Sequence, residues 1–323
     1  MIHKIVLGLL GVGIALSIIP VANMSAPLAD EPQWTAKTPM PSSRLGHHAA
    51  VLDGRIYVIG GEHVDPTSSP TGAADIYDPA TDKWTPGKAM PTARGFFATA
   101  TVGRRIYAIG GSPNITVRDP AIGIVEIYDP TTDSWGRGAD MPTPRADLTA
   151  SVVNGKIYAI GGTQHVAVEA LGVVEEYDPA TDTWTRKADM PTPRLHLSSA
   201  VVGDKVYVFG GGPEYPIPLA AAEMYDPATD TWSKLADMPS ERIGIWAAAL
   251  NGKIYVIGGL SWGNEALATA EEYDPKTNSW RKLPDMPTPR FLLSVEAVGD
   301  SIYAIGGAAS DFDTIPAVEA FTP

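Results

Sequence analysis

Short apolar runs closed by a pair of glycines recur six times along the chain: IYVIGG at 56–61 and 254–259, IYAIGG at 106–111, 157–162 and 302–307, and VYVFGG at 206–211. A run of that length with no polar interruption predicts a strand covered on both faces, as where sheets stack face to face. Ahead of each lies a second run of small and apolar residues, such as HHAAVL or LSSAVV, and a two-residue break joins the two. The breaks Asp53-Gly54, Asn154-Gly155 and Asn251-Gly252 suit a type I′ turn, whereas Gly103-Arg104, Gly203-Asp204 and Gly299-Asp300 suit type II′. Both types match the twist of a hairpin. A third strand follows the glycines and ends in Tyr-Asp-Pro, and a D-P-A-T-D turn leads to a fourth that carries a tryptophan. The predicted unit is a meander of four short strands.

The unit repeats in register, and a repeat of this kind decides the whole fold. An arginine after a Met-Pro step stands at Arg44, Arg94, Arg145, Arg194, Arg242 and Arg290, and the glycine pairs begin at Gly60, Gly110, Gly161, Gly210, Gly258 and Gly306. Both series advance by 50, 51, 49, 48 and 48 residues. Trp84, Trp135, Trp184, Trp232 and Trp280 give five tryptophans for six arginines. The chain ends on VEAFTP at 318–323, a third strand with no turn and no tryptophan after it. Trp34 stands ahead of the first arginine with no strands of its own in front. The strand around Trp34 is therefore expected to complete the last sheet and close a ring, which removes an open sheet edge that would template aggregation.

Arginine after Met-Pro, paired glycines, then tyrosine and tryptophan: this pattern resembles the kelch repeat over residues 34–323. Kelch repeats form β-propeller blades, so the resemblance implies an all-β fold, a six-bladed β-propeller of four-stranded antiparallel blades occupying residues 30–323. Phe321-Thr322 departs from the Tyr-Asp of the other repeats.

Six repeats leave no room for a second domain in 323 residues. A formal net charge of −13 and a pI near 4.8, with no run of lysine or arginine, argue against a nucleic-acid partner. Residues 1–29 read as an export signal: Lys4 at the positive end, an apolar stretch from Ile5 to Ile19, then small residues at Ala22, Ser25, Ala26 and Ala29. Pro20 and Pro27 fit an A-x-A cleavage pattern poorly, so an uncleaved N-terminal anchor is the alternative, although the stretch is shorter than a typical span. The expected location is secreted or periplasmic. Membrane anchoring, with the membrane as a partner, is expected only if the segment stays uncleaved. The chain has no cysteine, which fits an exported protein that relies on its core. The lack of cysteine also excludes a lipidated-cysteine anchor and the cysteine-crosslinked tyrosine of copper oxidases with kelch-like propellers.

The meander assigns the loops to two ends. The arginine end carries the segments between the glycine pair and the third strand, which differ in every repeat: EHVDPTSSPTGAA, SPNITVRDPAIGIV, TQHVAVEALGVV, PEYPIPLAAA, SWGNEALATA and ASDFDTIPAV. The other end carries short, standardised turns. Binding concentrates in variable loops on a rigid scaffold, so the arginine face is the expected surface for a protein or glycan partner. Inside the ring, the strand after each arginine lines the channel, and alternation puts positions two, four and six after the arginine on one face. His48, Phe96, Asp147, His196, Trp246 and Glu296 break the six-fold pattern there and form the candidate ligand-binding set. Position three (His47, Phe97, Leu148, Leu197, Ile245, Leu293) is expected to pack between blades.

The six arginines admit two readings. An acid stands two residues before the Tyr or Phe of each third strand, at Asp75, Glu126, Glu175, Glu223, Glu271 and Glu319, so six ion pairs are expected. The rival reading is an anion-binding collar, in which Arg44, Arg94, Arg145, Arg194, Arg242 and Arg290 join the channel set and grip a carboxylate bidentately. The serial tryptophans are packing. Trp246 and Trp262 fall outside the series and are candidates for stacking on a sugar or peptide. No metal and no cofactor is expected: His47-His48 and His196 lack compact ligand spacing, and the D-P-A-T-D turns lack that of calcium loops. Asn114-Ile115-Thr116 is a glycosylation sequon. No nucleophile elbow, P-loop or dinucleotide fingerprint occurs.

The function read from these features is an exported, non-catalytic binding protein that presents its loop-rich face to a protein or glycan. The alternative is an enzyme, through a weaker resemblance to exported sialic-acid mutarotases, kelch-like propellers with an acid and arginines in the channel. That resemblance implies mutarotase or epimerase action on sialic-acid-like sugars. Glu296, Asp147 and His196 would supply acid-base groups beside an arginine that holds the sugar carboxylate.

Overall fold

The second glycine of each pair is joined through the backbone to the arginine of the next repeat. In the computed structural model the N–H of Gly61 donates to the carbonyl of Arg94 at 3.0 Å, and Gly111, Gly162, Gly211 and Gly259 reach Arg145, Arg194, Arg242 and Arg290 likewise. Gly307 returns to Arg44 at 3.2 Å, so the sixth repeat meets the first. Glycine is demanded by this approach: Gly110 has φ +69°, and a Cβ there would lie 2.4 Å from the Arg145 carbonyl oxygen. The structure describes residues 32–63, 69–114, 119–166 and 168–323. The expected export segment at 1–29 and the Ile115-Thr116 half of the sequon lie outside these residues.

Twenty-four strands among the described residues form six antiparallel four-stranded sheets. Blade 1 runs outward in chain order through His48–Leu52, Arg55–Ile59, Ala74–Asp78 and Lys83–Pro86. Blades 2 to 5 repeat it from the inner strands Ala98–Val102, Thr149–Val153, Ser198–Val202 and Trp246–Leu250. Blade 6 takes Ser294–Val298, Ser301–Ile305 and Val318–Thr322 from the end of the chain, and its outermost strand is Gln33–Lys37. Trp34 lies opposite Phe321 in that last pairing. The fold is therefore the all-β, six-bladed β-propeller expected, closed by the Trp34 strand, and Pro32–Pro323 form one unit.

The hairpin turns follow their residues. Both central residues of Asp53-Gly54 are left-handed, with φ of 51° and 72°, whereas in Gly103-Arg104 the glycine takes φ 58°. Each outer tryptophan packs on the aromatic ring that ends its blade's third strand, as Trp84 on Tyr77 at 5.0 Å and Trp34 on Phe321 at 5.1 Å between ring centroids. The indole N–H then donates to the linker entering the same blade, as Trp84 to the Thr38 carbonyl and Trp184 to that of Ala139, both at 2.9 Å. In five blades the tyrosine hydroxyl donates to the residue closing the D-P-A-T-D-type turn, from Tyr77 to Asp82 at 2.6 Å through to Tyr273 to Asn278 at 2.8 Å. Blade 6 has no such turn between its third and fourth strands. A phenylalanine, Phe321, can therefore replace the tyrosine without leaving a hydroxyl unpaired.

Position three after each arginine is buried between blades: Phe97, Leu148, Leu197, Ile245 and Leu293 all belong to interblade apolar clusters. His47 takes the same place in the seam between blades 6 and 1, its Nε2 3.2 Å from the Ile305 carbonyl oxygen. Burial, with the nearby Arg44 charge, pushes its pKa down to about 3, so it is a neutral core residue near pH 7.

Candidate functional site

Each arginine of the Met-Pro series has no solvent exposure and ends on the acid of its own blade. The contacts are Arg44 to Asp75 at 2.8 Å, Arg145 to Glu175 at 2.9 Å, Arg194 to Glu223 at 2.7 Å, Arg242 to Glu271 at 2.5 Å and Arg290 to Glu319 at 2.8 Å, with Arg94 closing on Glu126. The residue two before the arginine joins in: the Thr143, Thr192 and Thr288 hydroxyls donate to the second oxygen of the same acids. Remaining guanidinium hydrogens go to backbone carbonyls, such as Gly161 and Val173 around Arg145. This corrects the collar reading of Arg44, Arg94, Arg145, Arg194, Arg242 and Arg290. Their side chains are enclosed in the blades, so none can reach a ligand in the channel.

The irregular channel residues divide by level. Position two after each arginine precedes the inner strand and has left-handed backbone: Phe96 at φ 57°, Asp147 at 56°, His196 at 50° and Leu292 at 50°, with Gly46 and Gly244 in the other blades. This breaks the simple alternation expected for positions two, four and six. Non-glycine residues rarely adopt such a φ. Here it turns each amide toward the preceding blade: the N–H of Phe96 donates to Gly46, Asp147 to Phe96, His196 to Asp147, Gly244 to His196 and Leu292 to Gly244, at 2.8–3.0 Å. These bonds link all six blades head to tail around the axis and leave a neck of about 30 Å³. His196 Nδ1 sits 3.1 Å from an Asp147 carboxylate oxygen, with Phe96 and Tyr215 edge-on to the His196 ring.

Apolar side chains stack against this neck on the loop side. Leu45, Leu195, Ile243 and Phe291, one residue after their arginines, cluster with Phe96 and with Val166, Ala170 and Ala266 from the variable loops. The channel proper lies beyond the neck, between the inner strands, with a volume of about 360 Å³. His48 and Trp246 border both spaces and meet edge to face at 4.6 Å, and Glu296 lines the channel alone. The six candidates thus fall into a neck group (Phe96, Asp147, His196), a boundary pair (His48, Trp246) and a channel carboxyl, not one site. Burial pushes the Glu296 carboxyl up to about 8 and the His48 imidazole well below its ordinary value. No group of three or more His, Cys, Asp or Glu among the described residues could hold a metal.

The loop face, where the sequence singled out Trp262 but not Phe312, exposes both. Trp262 is 59% and Phe312 39% exposed, the two large hydrophobic residues left in solvent among those described. They sit in adjacent loops tied together by the Ala266 N–H donating to Ser310 Oγ at 2.8 Å. The Trp262 indole donates to Glu241 Oε2 at 2.8 Å, and Phe312 packs edge-on to Phe291 at 5.3 Å. Glu241, Glu265, Asp311 and Asp313 are exposed around them. Phe312 was hidden in sequence because it belongs to no repeat position.

The KLHDC2/KLHL20/DRC7 Kelch-repeats domain family matches residues 137–307, and the Kelch motif matches 43–91 and 93–142. The chain belongs to the kelch-repeat family. Kelch propellers are in general protein-binding scaffolds. Among similar proteins are the kelch-like protein terF of Aspergillus terreus, 34% identical over 138 residues, which are 41% of this chain and 30% of that one, and Kelch-like protein 25 of Xenopus tropicalis, 28% identical over 145 residues, 43% and 24%. A shorter match, 44% identical over 46 residues, links 14% of this kelch chain to 7% of the influenza virus NS1A-binding protein homolog of Mus musculus. These matches span less than a third of the relatives' lengths. The solved structure of YjhT superposes with a TM-score of 0.76 over 88% of this chain and 97% of that one, at 19% identity, a likeness of fold.

Proposed function

We propose that this kelch propeller is an exported, non-catalytic binding protein whose loop face docks a basic segment of a protein partner. The exposed pair Trp262 and Phe312, ringed by Glu241, Glu265, Asp311 and Asp313, carries the reading. Aromatic anchors beside unpaired charge are the usual make-up of an interface centre and its rim. The six variable segments together hold eight acids (Glu62, Asp65, Asp119, Glu169, Glu214, Glu265, Asp311, Asp313) against one arginine, Arg118. A field of one sign selects a partner of the other and speeds its encounter. A glycan offers no such charge match, so protein is preferred to glycan. The test is to screen labelled Lys/Arg-rich peptides containing an aliphatic residue against wild type and a Trp262→Ala, Phe312→Ala double variant. Binding that weakens with salt and is lost in the variant supports the reading. Equal binding by the variant, or preference for acidic peptides, refutes it.

The alternative of a sialic-acid mutarotase or epimerase needs a guanidinium beside a channel acid. Glu296 supplies an acid, but all six serial arginines are enclosed in ion pairs. An acid sugar would meet a carboxyl with no cationic side chain among the described channel residues, which counts against this reading.

A further inference from the structure

We propose that the central channel is a second binding site, entered from the hairpin-turn face, for a small organic compound carrying a primary ammonium group. The neck and the apolar cluster shut the loop-side end of the 360 Å³ channel. At the other end the last lining residues, Val51, Thr101, Val152, Val201, Ala249 and Ala297, are only half-buried. The entrance therefore lies among the short turns, opposite the surface assigned to the protein partner.

The lining selects positive charge and hydrogen-bond donors. Glu296 is its one carboxyl, and no lysine or arginine lines the space with it among the described residues. The hydroxyls of Thr99 and Thr101 already donate to the carbonyls of Ala49 and Val51, closing the exposed edge of the neighbouring inner strand. What these hydroxyls have left to offer is lone pairs. Trp246 forms the inner end, and an aromatic ring attracts a cation. A carboxyl, acceptor oxygens and an aromatic wall together fit an ammonium group, and no cationic side chain among the described lining residues would hold an anion.

The strands packed against Ser294–Val298 add no competing charge. They carry Tyr303 in blade 6 and His48 in blade 1, and Trp246–Leu250 carries no titratable group. Burial keeps His48 neutral and raises Tyr303, so both are uncharged near pH 7. With its pKa at about 8, Glu296 is mostly protonated there. Docking an ammonium ion favours the carboxylate, and the proton leaves to solvent.

The experiment is isothermal titration of the whole protein with ethanolamine near neutral pH, in two buffers of different ionisation enthalpy. Ethylene glycol serves as the neutral match in size, and N-acetylneuraminic acid as the anionic comparison. Ethanolamine is expected to bind with release of nearly one proton, and its affinity to rise on the order of tenfold per pH unit below the Glu296 pKa. Glu296→Gln should lose both binding and proton release while still melting cooperatively. Trp262→Ala should bind ethanolamine as wild type does, so the channel and loop-face proposals fail separately. Undiminished binding by Glu296→Gln, binding without proton release, tighter binding of ethylene glycol or the acid sugar, or no saturable ethanolamine binding in the millimolar range would each overturn the proposal.

Discussion

The indole N–H of Trp34 donates to the carbonyl oxygen of Pro284 at 2.9 Å, although 250 residues separate them in sequence. It is the same bond that Trp84 makes to Thr38 and Trp280 to Ala236 within continuous repeats. The first strand thus takes the place that the end of the chain leaves vacant, and the ring depends on a junction with no covalent continuity.

Removing residues 32–38 should strip the outer strand from blade 6, expose the edge of Val318–Thr322 and lower the melting temperature of the whole ring. Trp34→Ala alone should cost about 2 kcal/mol, below the 3–5 of a fully buried aromatic because Trp34 is half-buried. Urea titration measures both. An unchanged midpoint in the deletion would mean the junction is dispensable.

Arg194→Ala leaves Glu223 buried without its cation and should cost about 3–5 kcal/mol. The loss should appear in stability and leave peptide binding by the folded protein intact. Weakened binding with unchanged stability would return the arginines to a ligand role.

Blade 1 carries Asp75 where the other five have glutamate. Among the buried atoms without a hydrogen-bond partner are Nε and Nη1 of Arg44. The extra methylene of Asp75→Glu should bring the carboxylate to the geometry of its siblings and stabilise the protein by about 1 kcal/mol. Chemical denaturation decides this, and a destabilised variant would show that the seam around His47 has adapted to the shorter acid.

Burial raises Glu296 to about 8 and Glu62 to about 7. Each folded-state pKa lies above the unfolded one, so the folded protein holds protons that the unfolded chain releases, and stability falls as pH rises from about 4.5 toward 8. The slope from one such group is at most about 1.4 kcal/mol per pH unit. His47 acts in the opposite sense: its lowered pKa makes stability fall as pH drops below about 6.5. Glu296→Gln should therefore gain on wild type steadily through neutral pH and level off above pH 8. Parallel stability curves for the two proteins would contradict a Glu296 carboxyl held protonated in the folded protein.

The fold was legible because its determinants repeat. The register of Gly61 with Arg94 and of Tyr77 with Trp84 recurs blade after blade, and the unmatched Trp34 and Phe321 could be paired by elimination. The arginine–acid pairs were legible for the same reason. The neck was not, because alternation assumes extended backbone and position two is left-handed in every blade. That local twist places Asp147 and His196 in the neck, away from Glu296 in the channel. Trp262 stood out as an extra tryptophan, but its pairing with Phe312 depends on two loops meeting through Ala266 and Ser310, which no repeat position encodes.

The measurement that bears most directly on the loop-face account is backbone hydrogen exchange of the whole protein with and without a basic, aliphatic-containing peptide selected by the screen. Exchange is expected to slow in residues 261–270 and 309–318 and to stay unchanged in the turns at 53–54, 154–155 and 251–252. Protection of those turns, with the Trp262 and Phe312 loops unaffected, would contradict that account.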